Sequence, residues 1–270
     1  MKSAHITPTL VPAVRGLIAL VLCGTVTSAP AALVTIDDYT SDTLSSEYQQ
    51  STVLDQGNSE SYAFDTTTND NQLTASIEGA DAQEDARQDV LLRDDYSLGV
   101  GETLSVDVIG GSVGNTDDFF GLAIATAKGI TQRSNMIQVV LKGDSDTSPS
   151  TSSLVRLETV NDAGDYGSFG AETSVDGLDG VNVLALRRNS TTEFEGLYDA
   201  GSGLVSLGTY DVGTEPAPGA AFGYVMGNGR ESGPITAQVD NLRMNVIPEP
   251  TTLALLALGS VALLRRPRRR

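Results

Sequence analysis

The sequence predicts an all-β fold, an antiparallel sandwich, on three observations. Short apolar–polar alternating segments recur along the middle of the chain, separated by clusters of Gly, Asn, Asp and Ser. Helical periodicity is almost absent between the two ends, which excludes the alternating strand–helix plan of a parallel α/β fold. The middle, residues 32–246, has the length of one large all-β domain, enough to bury a single core.

Eleven segments carry the strand expectation. In order they are Ser61–Asp65, Gln72–Ile77, Gln88–Arg93, Thr103–Ile109, Phe119–Thr126, Met136–Lys142, Leu154–Val160, Val181–Arg187, Glu193–Tyr198, Ala221–Met226 and Ala237–Met244. Most alternate, as half-buried strands do. Phe120-Gly121-Leu122-Ala123-Ile124-Ala125 is apolar on both faces, which predicts a central strand lying between layers. Residues 144–153, rich in Ser, Thr and Asp, predict a long exposed connection.

The ends differ from the middle. Lys2 and Arg15 precede the apolar run Gly16–Val26, followed by small residues through Ala32, the three-part layout of a signal peptide over residues 1–31. A Pro at position 30 disfavours cleavage after Ala29, so cleavage is expected at Ala31 or Ala32 by signal peptidase. The chain has one cysteine, Cys23, which leaves with this segment, so no disulfide can staple the mature fold.

At the other end, residues 247–270 hold Pro248-Glu249-Pro250, the uncharged stretch Thr251–Leu264, and a cluster opening with Arg265 and Arg266. As a helix the 14 uncharged residues reach about 21 Å, short of the roughly 30 Å hydrocarbon core, so a permanent anchor would be strained. The prolines make an irregular grip for an enzyme, and the arginines hold the end on the cytoplasmic side. Inner-membrane association through residues 251–264 follows, transient or permanent.

This arrangement resembles the PEP-CTERM sorting signal of Gram-negative bacteria on the triplet Pro248, Glu249, Pro250, the helix Leu253–Leu264 and the terminal arginines. The resemblance implies recognition by a membrane-embedded exosortase, removal of the tail, and delivery to the outer surface or extracellular matrix, often beside exopolysaccharide production.

A second, looser resemblance covers residues 37–245. Asp37-Asp38-Tyr39, then Val183–Arg188 followed by Glu193–Asp199, then Ala237-Gln238-Val239-Asp240-Asn241-Leu242-Arg243-Met244, are similar in that order to the concanavalin A-like jelly roll of laminin-G-type and lectin-like modules. It implies a jelly-roll sandwich, which the two terminal segments read above would flank with an N-terminal signal helix and a C-terminal hydrophobic helix. Asp240 and Asn241 are expected at a strand edge or turn. β-Glucan-cleaving enzymes of that architecture carry Glu-x-Asp-x-x-Glu on one strand; Glu78-Gly79-Ala80-Asp81-Ala82-Gln83-Glu84 has the wrong spacing.

Function classes narrow accordingly. Residues 32–248 hold 34 acidic and 10 basic side chains, a net of −24, which repels nucleic acid. The single histidine, His5, lies in the signal segment, so Ser-His and Cys-His nucleophile systems and the usual zinc ligands are missing from the mature chain. The expectation is a non-enzymatic structural or matrix-associated surface protein, with carbohydrate binding to an exopolysaccharide as the alternative. Without Trp, sugar platforms would fall to Tyr62, Tyr166, Phe169 or Tyr198, residue types that more often pack into a core. No cofactor is required; calcium is considered at Asp117/Asp118, Asp144/Asp146, Asp162/Asp165 and Asp176/Asp179, where solvated turns are the favoured reading.

Overall fold

A computed structural model describes residues 31–41, 43–55, 64–69, 71–77, 87–113, 118–143, 153–160, 166–175, 180–213, 218–228 and 235–247. Fifteen strands run through them: β1 Ala32–Asp37, β2 Gln49–Asp55, β3 Phe64–Asn69, β4 Gln72–Ile77, β5 Arg87–Arg93, β6 Thr103–Ser112, β7 Phe119–Ala125 and β8 Met136–Gly143. The rest are β9 Ser153–Val160, β10 Tyr166–Val175, β11 Val183–Arg188, β12 Glu193–Asp199, β13 Val205–Asp211, β14 Ala221–Asn228 and β15 Ile235–Val246. One 3₁₀ turn, Arg133–Asn135, precedes β8. The expected terminal helices and residues 144–152 of the expected 144–153 connection lie outside the described residues, and its last residue, Ser153, opens β9.

All pairings are antiparallel, and the strands form two sheets. The eight-stranded sheet follows the order β13-β12-β11-β6-β15-β4-β3, with β1 also on β15; the seven-stranded sheet follows β10-β9-β8-β7-β14-β5-β2. This is the predicted sandwich. Four strands were not among the eleven expected segments, β1, β2, β10 and β13; β3 extends four residues past the expected end at Asp65, and residues 61–63 of that expected segment lie outside the described residues.

Alternation places the core between the sheets. Leu104 and Val106 of β6, Leu184 and Leu186 of β11, and Ala237 and Val239 of β15 meet Phe120, Leu122 and Ile124 of β7, Val139 and Leu141 of β8, and Phe222 of β14. β7 is buried along its whole length, as expected for a central strand, because its other face joins a second apolar cluster with Val90, Leu92, Met136, Val140 and Val225. Asp240 and Asn241 lie inside β15, not in a turn. A β-bulge there, with Asn241 at φ 50°, shifts the inward parity from Val239 to Leu242 and so keeps both halves of a twelve-residue strand facing the core.

Candidate functional site

β1 ends at Asp37, and the chain turns sharply inward. Tyr39 donates its backbone N–H to Asp37 Oδ1 at 3.0 Å and sits at φ 51°, a region bulky residues rarely occupy. What holds it there is burial of the ring together with its hydroxyl, which meets the Tyr224 hydroxyl on one side and lies 3.1 Å from the Tyr48 hydroxyl on the other. Tyr224 in turn stacks on Phe120 and Tyr48, with ring centroids at 6.0 and 6.4 Å. The Arg93 guanidinium lies 4.9 Å over the Tyr48 ring, grips both oxygens of Asp95 at 2.7 Å, and donates to Asp37 Oδ2 at 3.2 Å. Asp37 therefore ties the strained turn to the arginine.

Burial sets the protonation of this cluster. It raises the Tyr39 and Tyr224 phenols well above their ordinary value and pushes Tyr48 up to about 12. Burial also works against the Arg93 charge, yet its bonds to Asp95 and Tyr48 hold the guanidinium above its usual range. Asp95 is held low, chiefly by its bond to Arg93.

On this base stands a recess of about 410 Å³ lined by Asp37, Tyr39, Ser41, Thr43, Leu44, Ser45, Ser46 and Thr68. Four hydroxyls of the turn, with Thr68 from β3, make it dense in groups that donate and accept hydrogen bonds. Thr68 Oγ1 is buried and has no hydrogen-bond partner among the described residues, a state that is costly unless a ligand or water fills it. The sequence signal for this site is the hydroxyl-dense run after Tyr39, which follows the Asp37-Asp38-Tyr39 segment of the jelly-roll resemblance.

A second polar feature crosses the outer face of the seven-stranded sheet. Gln88 Nε2 donates to Gln138 Oε1 at 3.0 Å, and Gln138 Nε2 donates to Glu158 Oε2 at 2.8 Å. Glu158 is 1% exposed; its other oxygen takes Arg156 and faces Lys142 Nζ at 3.7 Å.

The residues expected to act fall elsewhere. Ala31 immediately precedes β1 and Ala32 opens it. Pro248, Glu249, Pro250, Arg265, Arg266 and the stretch 251–264 lie outside the described residues, as do Glu78–Glu84, Tyr62, Asp117 and the Asp144, Asp162 and Asp176 pairs. Asp118 is fully buried, and Tyr198 packs into the core. Among the described residues, no group of three or more His, Cys, Asp or Glu side chains could hold a metal ion, and no helix is long and apolar enough to cross a membrane.

Comparison with known proteins bears on both parts of the chain. Residues 246–270 match the PEP-CTERM protein-sorting motif. That motif implies an exported protein, sorted in association with a membrane and processed by an exosortase. No curated protein sequence matches. Among solved structures the sandwich is similar to SCLam, a non-specific endo-β-1,3(4)-glucanase, with TM-score 0.51, 10% identity, and coverage of 80% of this chain and 94% of that one. It is also similar to the catalytic domain of an endo-1,3-β-glucanase (laminarinase) from Thermotoga petrophila, with TM-score 0.48, 8% identity, and 81% and 100% coverage. A GlcNAcα1-4Gal-releasing endo-β-galactosidase from Clostridium perfringens matches with TM-score 0.46 and 11% identity over 80% of this chain, which spans only 63% of that longer one. The fold is the concanavalin A-like jelly roll.

The similarity to SCLam corrects one expectation. The sequence reads as non-enzymatic, and that reading does not stand, because SCLam, which shares this fold, is an endo-glucanase. The weak step was chemical: missing histidine and cysteine exclude Ser-His and Cys-His systems, whereas glycoside hydrolysis uses a pair of carboxylates. The described sandwich buries the carboxylates of Asp89, Asp118 and Glu158.

Proposed function

We propose that this is a carbohydrate-binding protein of the outer surface or extracellular matrix of a Gram-negative bacterium, and that the recess beside Tyr39 takes the sugar. In this reading residues 1–31 are a signal peptide cut at Ala31 or Ala32, residues 32–246 are the binding domain, and residues 247–270 are the sorting tail. Pro248, Glu249 and Pro250 are read by the exosortase, and Arg265 and Arg266 hold the end of the tail inside. The ligand class is an exopolysaccharide.

The observation that carries the binding reading is Thr68 Oγ1, buried without a partner among the described residues in a recess otherwise edged by Ser41, Thr43, Ser45 and Ser46. A polyol satisfies such a ring of short hydroxyls, each able to donate and accept. The recess volume lies within the ~300–1,000 Å³ common for small-ligand sites. The acidic chain, with its net charge of −18, favours a neutral polymer or a cation-bridged acidic one. SCLam acts on a β-glucan, which makes glucans the first polymers to try.

The test is retention of the secreted, processed protein on a panel of polysaccharides that includes the host's own matrix. Retention should weaken about tenfold in Thr68→Val, the effect of one lost hydrogen bond of ~1.4 kcal/mol. No retention on any polymer removes the reading and leaves a structural matrix role. Reducing ends released from a retained polymer would add hydrolysis to binding.

A further inference from the structure

The sheet end from which the sorting tail departs carries its own surface. β15 finishes at Val246, opposite Ala32, and Ile247 follows with its backbone N–H bonded to Glu102 Oε1 at 3.2 Å. The same carboxylate accepts the Gly99 N–H at 2.7 Å through Oε2, so Glu102 joins the tail's root to the 99–102 turn. Within that turn Gly101 sits at φ 85°, and a Cβ there would come within 2.7 Å of Ile247 Cδ1; the isoleucine lies directly on the glycine backbone. Arg188 O holds the turn from the other side, accepting the Gly101 N–H at 2.6 Å.

Around this fixed root stand exposed apolar side chains. Val100 is 51% exposed, Ile247 39%, and Leu33, on β1 opposite Asn245, 63%. Tyr96, in the preceding loop, is exposed as well. The nearby acidic groups in that loop are paired: Asp94 with Lys128 at 2.9 Å, and Asp95 with Arg93 at 2.7 Å.

Chain length says what this surface meets. Three residues, and so four Cα-to-Cα steps, separate Ile247 from Thr251, where the uncharged stretch begins. Extended, they span at most about 14 Å. The headgroup region on one side of a bilayer is about 5–8 Å thick. While residues 251–264 are held in a membrane, Ile247 therefore stays within about 6–9 Å of the outer edge of the headgroups, close enough for its exposed neighbours to seat on the lipid.

We propose that Leu33, Val100 and Ile247 form a lipid-contact surface that seats the folded domain on the bilayer during sorting, with Glu102 fixing the tail's root against it. The proposal rests on the sorting reading of the tail. Its contact is apolar, so it should tolerate salt, and a chain of this net charge gains nothing from anionic headgroups.

The test uses tail-bearing protein from a host without exosortase, in a Cys23→Ser background, reconstituted into phosphatidylcholine vesicles containing shallow spin-labelled lipid. An environment-sensitive dye is carried on Val100→Cys or, as control, on exposed Ser112→Cys, whose partner Thr236 lies ten residues along β15 from Val246, about 30 Å away. Quenching should be severalfold stronger at position 100, unchanged between low and high salt, and reduced by Leu33→Ser with Ile247→Ser. Equal quenching at the two positions overturns the surface. Quenching at position 100 that arises only when exosortase shares the vesicle overturns it too, assigning the surface to the enzyme. In parallel, processing of a chain with all three triplet residues changed to alanine is followed in an exosortase-bearing host. Normal processing of that chain removes the sorting reading itself, whereas blocked processing with equal quenching overturns the lipid contact alone.

Discussion

Ala32, the first residue of β1, stands directly opposite Val246, the last residue of β15. The two segments that flank the domain therefore enter and leave it side by side. A protein read for export at one end and for sorting at the other presents both junctions at one corner of one sheet.

The two junctions are expected to act through separate sequences. Replacing Pro248, Glu249 and Pro250 by alanine should leave export intact and block maturation, so that a signal-cleaved, tail-bearing form accumulates in the membrane fraction. Mass spectrometry of that fraction checks it. Maturation at the parental rate would mean that the triplet is not what the processing enzyme reads.

The buried phenols make stability depend on alkaline pH. Tyr48 titrates near 10 when unfolded and near 12 in the fold, so the folded state binds its proton more tightly. Its stabilisation is complete below about pH 10 and is lost as pH rises through 12, a change of about 3 kcal/mol for the two-unit shift. Tyr39 and Tyr224 are raised as well and act in the same direction. Urea midpoints should fall between pH 10 and 12 in step with tyrosinate absorbance, and Tyr48→Phe should flatten that fall. A midpoint independent of pH across this window contradicts the buried cluster.

How far the fold could be read in the sequence follows the position of each strand. Central strands such as β7, FFGLAIA, and β8, MIQVVLKG, are buried on both faces and announce themselves by composition. The strands missed or displaced sit at sheet margins: β13 and β3 end one sheet, β10 and β2 end the other, and β1 pairs only with β15. Margin strands bury little, so they need few apolar residues; β2 reads QQSTVLD, and β1 is exposed or half-buried throughout. The recess was illegible for a related reason. It depends on a turn from β1 meeting Thr68 of β3, a contact between two margin strands that no local pattern encodes. The parity change in β15 was hidden as well, because Asp240 and Asn241 look like turn residues and serve as a bulge.

Glu102 offers a direct check on the tail's root. Its two oxygens accept from Gly99 and Ile247, and the residue is 8% exposed. Glu102→Gln keeps the shape but leaves one oxygen to serve two donors, and should cost about 1.5–3 kcal/mol as a lost charge-assisted bond. Glu102→Ala loses both bonds and should cost more. Urea unfolding of the tail-bearing and processed forms measures this. Identical midpoints for the parent and both variants would show that the contact does not hold the strand end.

The ladder Gln88–Gln138–Glu158 decides whether the outer face of the seven-stranded sheet is held as one unit. Gln138 is the shared member, accepting from Gln88 and donating to Glu158, and both its neighbours are almost fully buried. Gln138→Met keeps the volume and strands a donor on Gln88 and an acceptor on Glu158, at ~1–3 kcal/mol for each group left unsatisfied. Gln88 already has one orphan, since its Oε1 has no partner among the described residues. Gln88→Met therefore removes an unsatisfied acceptor together with a bonded donor and should cost less than Gln138→Met. In the double variant the stranded donor no longer exists, so the two changes should cost less together than the sum of their separate effects. Glu158→Gln differs in kind. It leaves Arg156 and Lys142 beside a neutral amide, and breaking a buried pair in this way costs about 3–5 kcal/mol. Urea midpoints of the three single variants and the Gln88/Gln138 double variant complete the cycle. Strict additivity of the glutamines would mean that Gln88 and Gln138 do not interact, and the ladder would reduce to the ion pairs of Glu158.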